Sequence, residues 1–373
     1  MITVHTDVVG SLLRPPELLR AREERAAGHL SPAAFKRVED RAVDAAVRLQ
    51  EESGMEVATD GEMRRLSFQS QLVDSVSGLG EWGLEAYLWG SWHGEGEAGD
   101  WQADRPAGMA VTDRLRRKRH MAVEEFVYLR ARAGADTVPK VTLPSPSLFA
   151  GFWDPDRSRE AYPTADAFLA DVADLLCDEV RELARLGATY LQLDAPHYPL
   201  LLDPAYRSFY ESRGGHWQDW LARAVELDNM VIDAAPDVTF GFHLCRGNQD
   251  SRWLVAGAYD PIAGPIFRGT RAHRLLLEYD DPRSGSFEAL REVPEDKMVV
   301  LGLVTTKSPR LESPEELADR VREAARYVPL ERLALSPQCG FSTSVVGNRL
   351  GEEDERRKLA VIREAADRLW GAA

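Results

Sequence analysis

Eight apolar runs of strand length, separated by amphipathic stretches of helix length, constrain this chain more than any other feature. They cover residues 3–10, 56–62, 137–144, 190–196, 239–245, 274–279, 298–305 and 332–337. Most are continuous Leu-rich or β-branched runs rather than alternating ones, the pattern of strands buried on both faces of a parallel sheet. The separators carry helix punctuation. In SPAAFKRVEDRAVDAAVRLQEESG, Ser31 is placed to cap the first turn and Gly54 to stop the last; ADAFLADVADLLCDEVRELARLG stops at Gly187. Eight strands alternating with helices predict an α/β fold, specifically a closed (β/α)8 TIM barrel.

No repeat or Pro/Ser-rich linker divides the chain, so residues 1–373 read as a single domain. One segment breaks the rhythm. Residues 78–106, after the second strand, are rich in Gly and hold Trp82, Trp89, Trp92 and Trp101. So much aromatic surface in an irregular stretch is expected to pack as an ordered hairpin or a contact between copies of the chain, or to form a lid over a site. A homodimer through this segment is the expectation from exposed-aromatic cost alone.

Charge narrows the partners. The 46 Lys+Arg against 61 Asp+Glu give a net charge of −15, which repels phosphate backbones and argues against nucleic acid. The one dense basic run, residues 114–119 (RLRRKR), reads as a solvated face of a helix entering MAVEEFVYLRARAG. No stretch of about 18 apolar residues is present for a membrane span, and the start lacks the order of a signal peptide. A cytoplasmic location is the expectation. Cys177, Cys245 and Cys339 are too few and scattered for a disulfide framework, which fits a reducing compartment.

In a barrel of this kind, chemistry sits at the carboxyl ends of the strands. The fifth run ends in Phe242-His243-Leu244-Cys245, the sixth in Leu277-Glu278-Tyr279, and the eighth leads into Gln338-Cys339-Gly340. Alternate residues on a strand point the same way, so His243 and Cys245 can approach one ion, with Glu278 and Cys339 supplied by other strand ends. Such an N, S, S, O set favours zinc over hard cations. The competing reading is packing, with buried cysteines and a hydrogen-bonded core histidine. Cys177, inside a helix, reads as packing. Asp60, Glu62 and Asp194 close other strands and can hold an ammonium group, act as acids, or cap helices and pair with Arg64 or Arg65. Ser11, after the first strand, can hold a carboxylate or cap a helix. His5 and His197 are further candidates for the barrel mouth.

The ordered motifs VVGSLLRP, ATDGEMRR, YLQLDAP, FHLCRGN, LLLEYDD and LSPQCGFST resemble the cobalamin-independent methionine synthase family, in its catalytic C-terminal barrel and most closely its short single-barrel bacterial paralogues. The resemblance implies a zinc ion held by His243, Cys245, Glu278 and Cys339. It further implies that Ser11, Glu62 and Asp194 hold the amino-acid end of homocysteine, whose thiolate takes a methyl group from a donor such as 5-methyltetrahydrofolate. Loss of the methyl group from a tertiary amine requires a proton on the leaving nitrogen, with Asp194 or His197 as candidate donors. Three departures bear on the donor. The length leaves no room for the family's additional N-terminal barrel; its Trp-Ser segment reads Leu143-Pro144-Ser145-Pro146-Ser147; and its Asp-Glu-Pro reads Asp194-Ala195-Pro196. Two alternatives keep the same site: an epoxide:thiol alkyltransferase, and a barrel that binds zinc or a thiol without turnover. A metal-free decarboxylase on a related barrel is disfavoured, having no need for two thiolates.

Overall fold

A computed structural model describes residues 2–371. Its centre is a curled, all-parallel seven-stranded sheet in sequential order: β1 (Val57–Ala58), β2 (Val138–Pro144), β3 (Tyr190–Asp194), β4 (Thr239–Leu244), β5 (Arg274–Glu278), β6 (Met298–Val304) and β7 (Leu333–Pro337). Every residue of β3 to β7 is buried, which is why these runs are apolar without alternation. The fold is α/β and TIM-barrel-like. Among the described residues no helix is long and apolar enough to cross a membrane.

The first of the eight expected strands, residues 3–10, is not a strand. Only Thr6 forms a parallel bridge, to Leu335 on β7, with Asp7 N donating to Leu335 O at 2.8 Å and Leu335 N to His5 O at 2.8 Å. On its other side the segment meets β1 through a side chain: Glu56 Oε2 accepts from His5 N at 2.9 Å, Thr6 N at 2.8 Å and Thr6 Oγ1 at 3.0 Å. A carboxylate thus supplies what a backbone ladder would supply, and the segment occupies the gap between β7 and β1.

The expected second strand, 56–62, is cut to two residues because the chain turns sharply after Thr59. Gly61 and Glu62 both have left-handed backbones (φ 68° and 56°), and Asp60 Oδ1 accepts from Glu62 N at 2.9 Å. The basic run is not helical either. Arg116–Arg117 pairs antiparallel with Val76–Ser77, and the following helix begins only at Val123. Two of its charges are met from outside the run: Arg114 pairs with Asp171 at 3.1 Å and Arg117 with Glu179 at 2.9 Å.

The helices follow their punctuation. α1 (Pro32–Glu52) starts with Ser31 Oγ accepting from Ala34 N at 3.2 Å, and its buried stripe runs through Ala42, Val43, Ala46 and Val47. α2 (Ala165–Arg185) is capped by Thr164 and buries Phe168, Leu169, Val172, Leu176 and Val180. Such i, i+3, i+4 spacing turns one face of each helix toward the sheet. α3 (Trp217–Asp233) and α4 (Glu352–Trp370) add to the outer layer.

At the amino end of the strands the interior is polar and paired. Lys140 Nζ donates to Asp7 Oδ1 at 2.8 Å and Gln192 Oε1 at 2.7 Å, Tyr190 OH donates to Asp7 Oδ2 at 2.7 Å, and Arg274 lies 3.4 Å from the same oxygen. Mutual satisfaction makes these buried charges tolerable, and they fill that end of the barrel. The carboxyl ends of the strands are left for the site.

Candidate metal and thiol site

His243 lies on β4 in register with Asp194 at the end of β3, and Cys245 follows one residue past β4. Cys339 arrives from the turn after β7, where Gln338 N donates to Val304 O at 2.8 Å. The ligand atoms of His243, Cys245 and Cys339 all lie within 4.8 Å of one another, and the two Sγ atoms are 3.7 Å apart. All three residues are buried, and neither ring nitrogen of His243 has a hydrogen-bond partner. An unpaired buried imidazole is costly unless something else satisfies it. One nitrogen and two soft sulfurs converging this closely are the donor set that suits zinc. Within the trio, hydrogen bonding from Cys339 and contact with His243 hold Cys245 well below the usual thiol range. The same pairing and burial push Cys339 up.

The arrangement needs a glycine. A Cβ on Gly340 would stand 2.1 Å from Ser11 Oγ, so the turn after Cys339 can press against Ser11 only without a side chain. Phe341 N donates to Ser11 O at 2.8 Å, which fixes the approach.

Glu278 closes β5 but lies outside the three-residue group. Its Oε2 accepts from Arg246 N at 2.5 Å and its Oε1 from Lys307 Nζ at 3.3 Å. Burial would raise this carboxyl, yet Lys307 and Arg246 hold it below its ordinary range.

A cavity of about 130 Å³ opens beside the trio and is lined by Ser11, Glu62, Asp194, His197, His243, Cys245 and Cys339 among others. Glu62 Oε1 accepts from Thr142 Oγ1 at 2.8 Å and pairs with Arg65 at 3.2 Å; its buried Oε2 has no partner. Asp194 Oδ1 accepts from Gln192 Nε2 at 2.7 Å. Burial pushes the Asp194 carboxyl up to about 7, against the pull of His243. His197 meets Ser147 Oγ at 2.7 Å through Nε2, leaves Nδ1 unpartnered, and is driven by burial down to about 3, so its ring is neutral.

Asp60 supports the Glu62 turn and does not line the cavity. His5 is far from the mouth expected for it: its Nδ1 meets Leu333 O at 2.8 Å at the start of β7, and its ring stacks on Trp370 at 4.5 Å. Cys177 sits inside α2 with Sγ 3.4 Å from Met230 O, its thiol raised to about 11 by burial, as a packing residue.

The Trp-rich segment contributes a wall. It forms a short antiparallel pair, Gly90–Trp92 with Trp101–Ala103, and Trp89 and Trp92 line the cavity. Gly247, with φ 91°, lets the Trp92 ring approach; a Cβ there would stand 3.1 Å from Cζ3. Trp101 faces solvent at 38% exposure.

Four participants had no distinct signal as site residues in the sequence. Ser145 and Ser147 link His197 to Asp228, with Ser145 Oγ donating to Asp228 Oδ1 at 2.7 Å. Asp228 is a buried acid on the apolar face of α3, and its placement between Leu227 and Val231 is the only hint. Lys307 looks like an ordinary loop lysine.

Residues 102–368 match the family model for the cobalamin-independent synthase catalytic domain. YxjH of Bacillus subtilis, an uncharacterised protein, is 34% identical across 98% of this chain and 94% of its own length. The methionine synthase of Pyrococcus abyssi is 27% identical over 90% of this chain and 86% of its own. Among solved structures, a candidate vitamin-B12 independent methionine synthase from Listeria monocytogenes superposes with a TM-score of 0.73 at 25% identity, over 100% of this chain and 99% of that one. A B12-independent methionine synthase from Shewanella, solved with selenomethionine, shares the fold with a TM-score of 0.71 at 18% identity, over 98% and 97%. The chain therefore belongs to the cobalamin-independent synthase family, through that family's catalytic domain.

Proposed function

We propose that this protein is a zinc-dependent thiol methyltransferase acting on homocysteine or a similar small amino-thiol. The observation that carries the reading is the convergence of His243, Cys245 and Cys339 within 4.8 Å beside a cavity, with both His243 nitrogens unpartnered. These three residues, with Glu278 as a fourth, displaceable ligand, would hold the ion. A bound zinc ion lowers the pKa of an incoming thiol, so that a thiolate is available at neutral pH.

The chain's own groups do the remaining work. Glu62, with a free buried oxygen, receives the ammonium of the acceptor and Ser11 its carboxylate, which leaves the neighbouring Asp194 for proton transfer. Fixing the acceptor this way turns its sulfur toward the donor and removes much of the entropic barrier. When the methyl group leaves a tertiary amine, Asp194 is the better proton source: at about 7 it lies near working pH, whereas His197 at about 3 carries no ionisable proton to give. Around these groups Trp89 and Trp92 exclude water.

The test is Cys339→Ser. It should lose zinc and methionine formation while keeping the far-ultraviolet circular dichroism of the parent. Full zinc content and activity in this variant contradict the assignment. Supplying homocysteine with methyl donors or with epoxides separates methyl transfer from alkyl transfer by the product formed.

A further inference from the structure

Lys307 follows β6, and its side chain is 5% exposed, yet it is absent from the cavity lining. Its Nζ donates to Glu278 Oε1 at 3.3 Å, while Glu278 Oε2 is held by Arg246 N at 2.5 Å and faces Arg246 Nη1 at 3.9 Å. Both oxygens of a fully buried carboxylate are thus engaged by the protein rather than left free for an ion. A second buried acid stands near. Asp280, two residues along, has two buried oxygens without a hydrogen-bond partner, and with Glu278 it keeps the Lys307 ammonium charged against the effect of burial.

We propose that Lys307 is a positioning residue that competes with the metal for Glu278, keeping the fourth coordination position open to the incoming thiol, with Asp280 as its alternative partner. The inference rests on the zinc–thiolate reading above. A carboxylate shared with a buried ammonium is a weak ligand, because moving fully onto the ion breaks a buried charge pair. Asp280 lowers that barrier by receiving the ammonium when Glu278 departs. No bond is made or broken in this exchange beyond the coordination itself.

Two variants move the equilibrium in opposite directions. Lys307→Met frees Glu278 Oε1, so zinc binding no longer has to break a buried charge pair; zinc affinity in a chelator competition should rise about tenfold or more, and the homocysteine affinity of the zinc protein should fall by a similar factor. The d–d spectrum of the cobalt-substituted variant should then change only at about tenfold higher homocysteine than in the parent. Lys307→Met/Glu278→Gln should restore thiol binding. Asp280→Asn ties Lys307 to Glu278 and should weaken zinc binding, providing the test even if the methionine variant fails to fold. Unchanged zinc and thiol affinities in Lys307→Met and Asp280→Asn overturn the lysine's role while leaving the zinc site standing. A wild-type protein that takes up no zinc, or takes it up equally well after Cys339→Ser, overturns both.

Discussion

At the scale of single residues, Glu62 shows how a site is prepared by strain and pairing together. A left-handed backbone at a residue with a side chain costs about 1–3 kcal/mol, and here it lifts the carboxylate off β1 and into the cavity. Arg65 and Thr142 occupy one oxygen and leave the other for a ligand. Glu62→Gln should therefore weaken binding of homocysteine about tenfold or more, and leave binding of 2-mercaptoethanol, which has no ammonium, within about twofold. Equal losses for both thiols, measured as the thiol-induced change in cobalt absorption, contradict the ammonium role. The sequence displayed the His-x-Cys pair, Cys339, Glu62 and Asp194 because strand ends and turn residues announce their position. It gave no sign of Lys307 and only a faint one of Asp228, because a charged residue's burial is decided by which distant elements close over it.

At the scale of elements, α4 carries a buried acid that couples stability to pH. Glu355 is 2% exposed, accepts from Leu13 N at 2.9 Å, and is pushed by burial up to about 8. The folded chain thus keeps a proton that the unfolded chain releases near pH 4.5, so this group's contribution is fully present below that pH and is lost as pH rises toward about 8. Glu355→Gln keeps an acceptor for Leu13 N and removes the proton linkage. Its melting temperature should exceed that of the parent at pH 8.5, with the gap narrowing toward pH 5; a gap independent of pH contradicts the linkage. The elements themselves were largely legible: Ser31, Gly54 and Gly187 marked helix ends, and continuous apolar runs marked β2 to β7. Residues 114–119 misled because basic residues suit helices, whereas here acids on α2 and a short pairing with Val76–Ser77 decided the conformation.

At the scale of the whole molecule, the parallel sheet is closed by chemistry that strand patterning does not encode. The segment near Thr6 joins β7 by backbone and β1 by the Glu56 carboxylate. Glu56→Ala removes three hydrogen bonds to one charged group and should cost about 3 kcal/mol, read as a lower urea midpoint with unchanged denaturant slope. An unchanged midpoint contradicts this mode of closure. Residues 3–10 read as a strand because they are rich in β-branched Thr and Val, and they do lie along the sheet; what periodicity cannot report is that one of their two ladders is replaced by a side chain. Closure matters to the site because it brings Ser11 against Gly340, next to Cys339.

The central claim is that His243, Cys245 and Cys339 hold zinc with a position open to a thiol. Zinc K-edge X-ray absorption on the purified protein, with and without homocysteine, tests it most directly. The account predicts two sulfur ligands rising to three when homocysteine is added. Two sulfurs in both states, or no bound zinc, would contradict it.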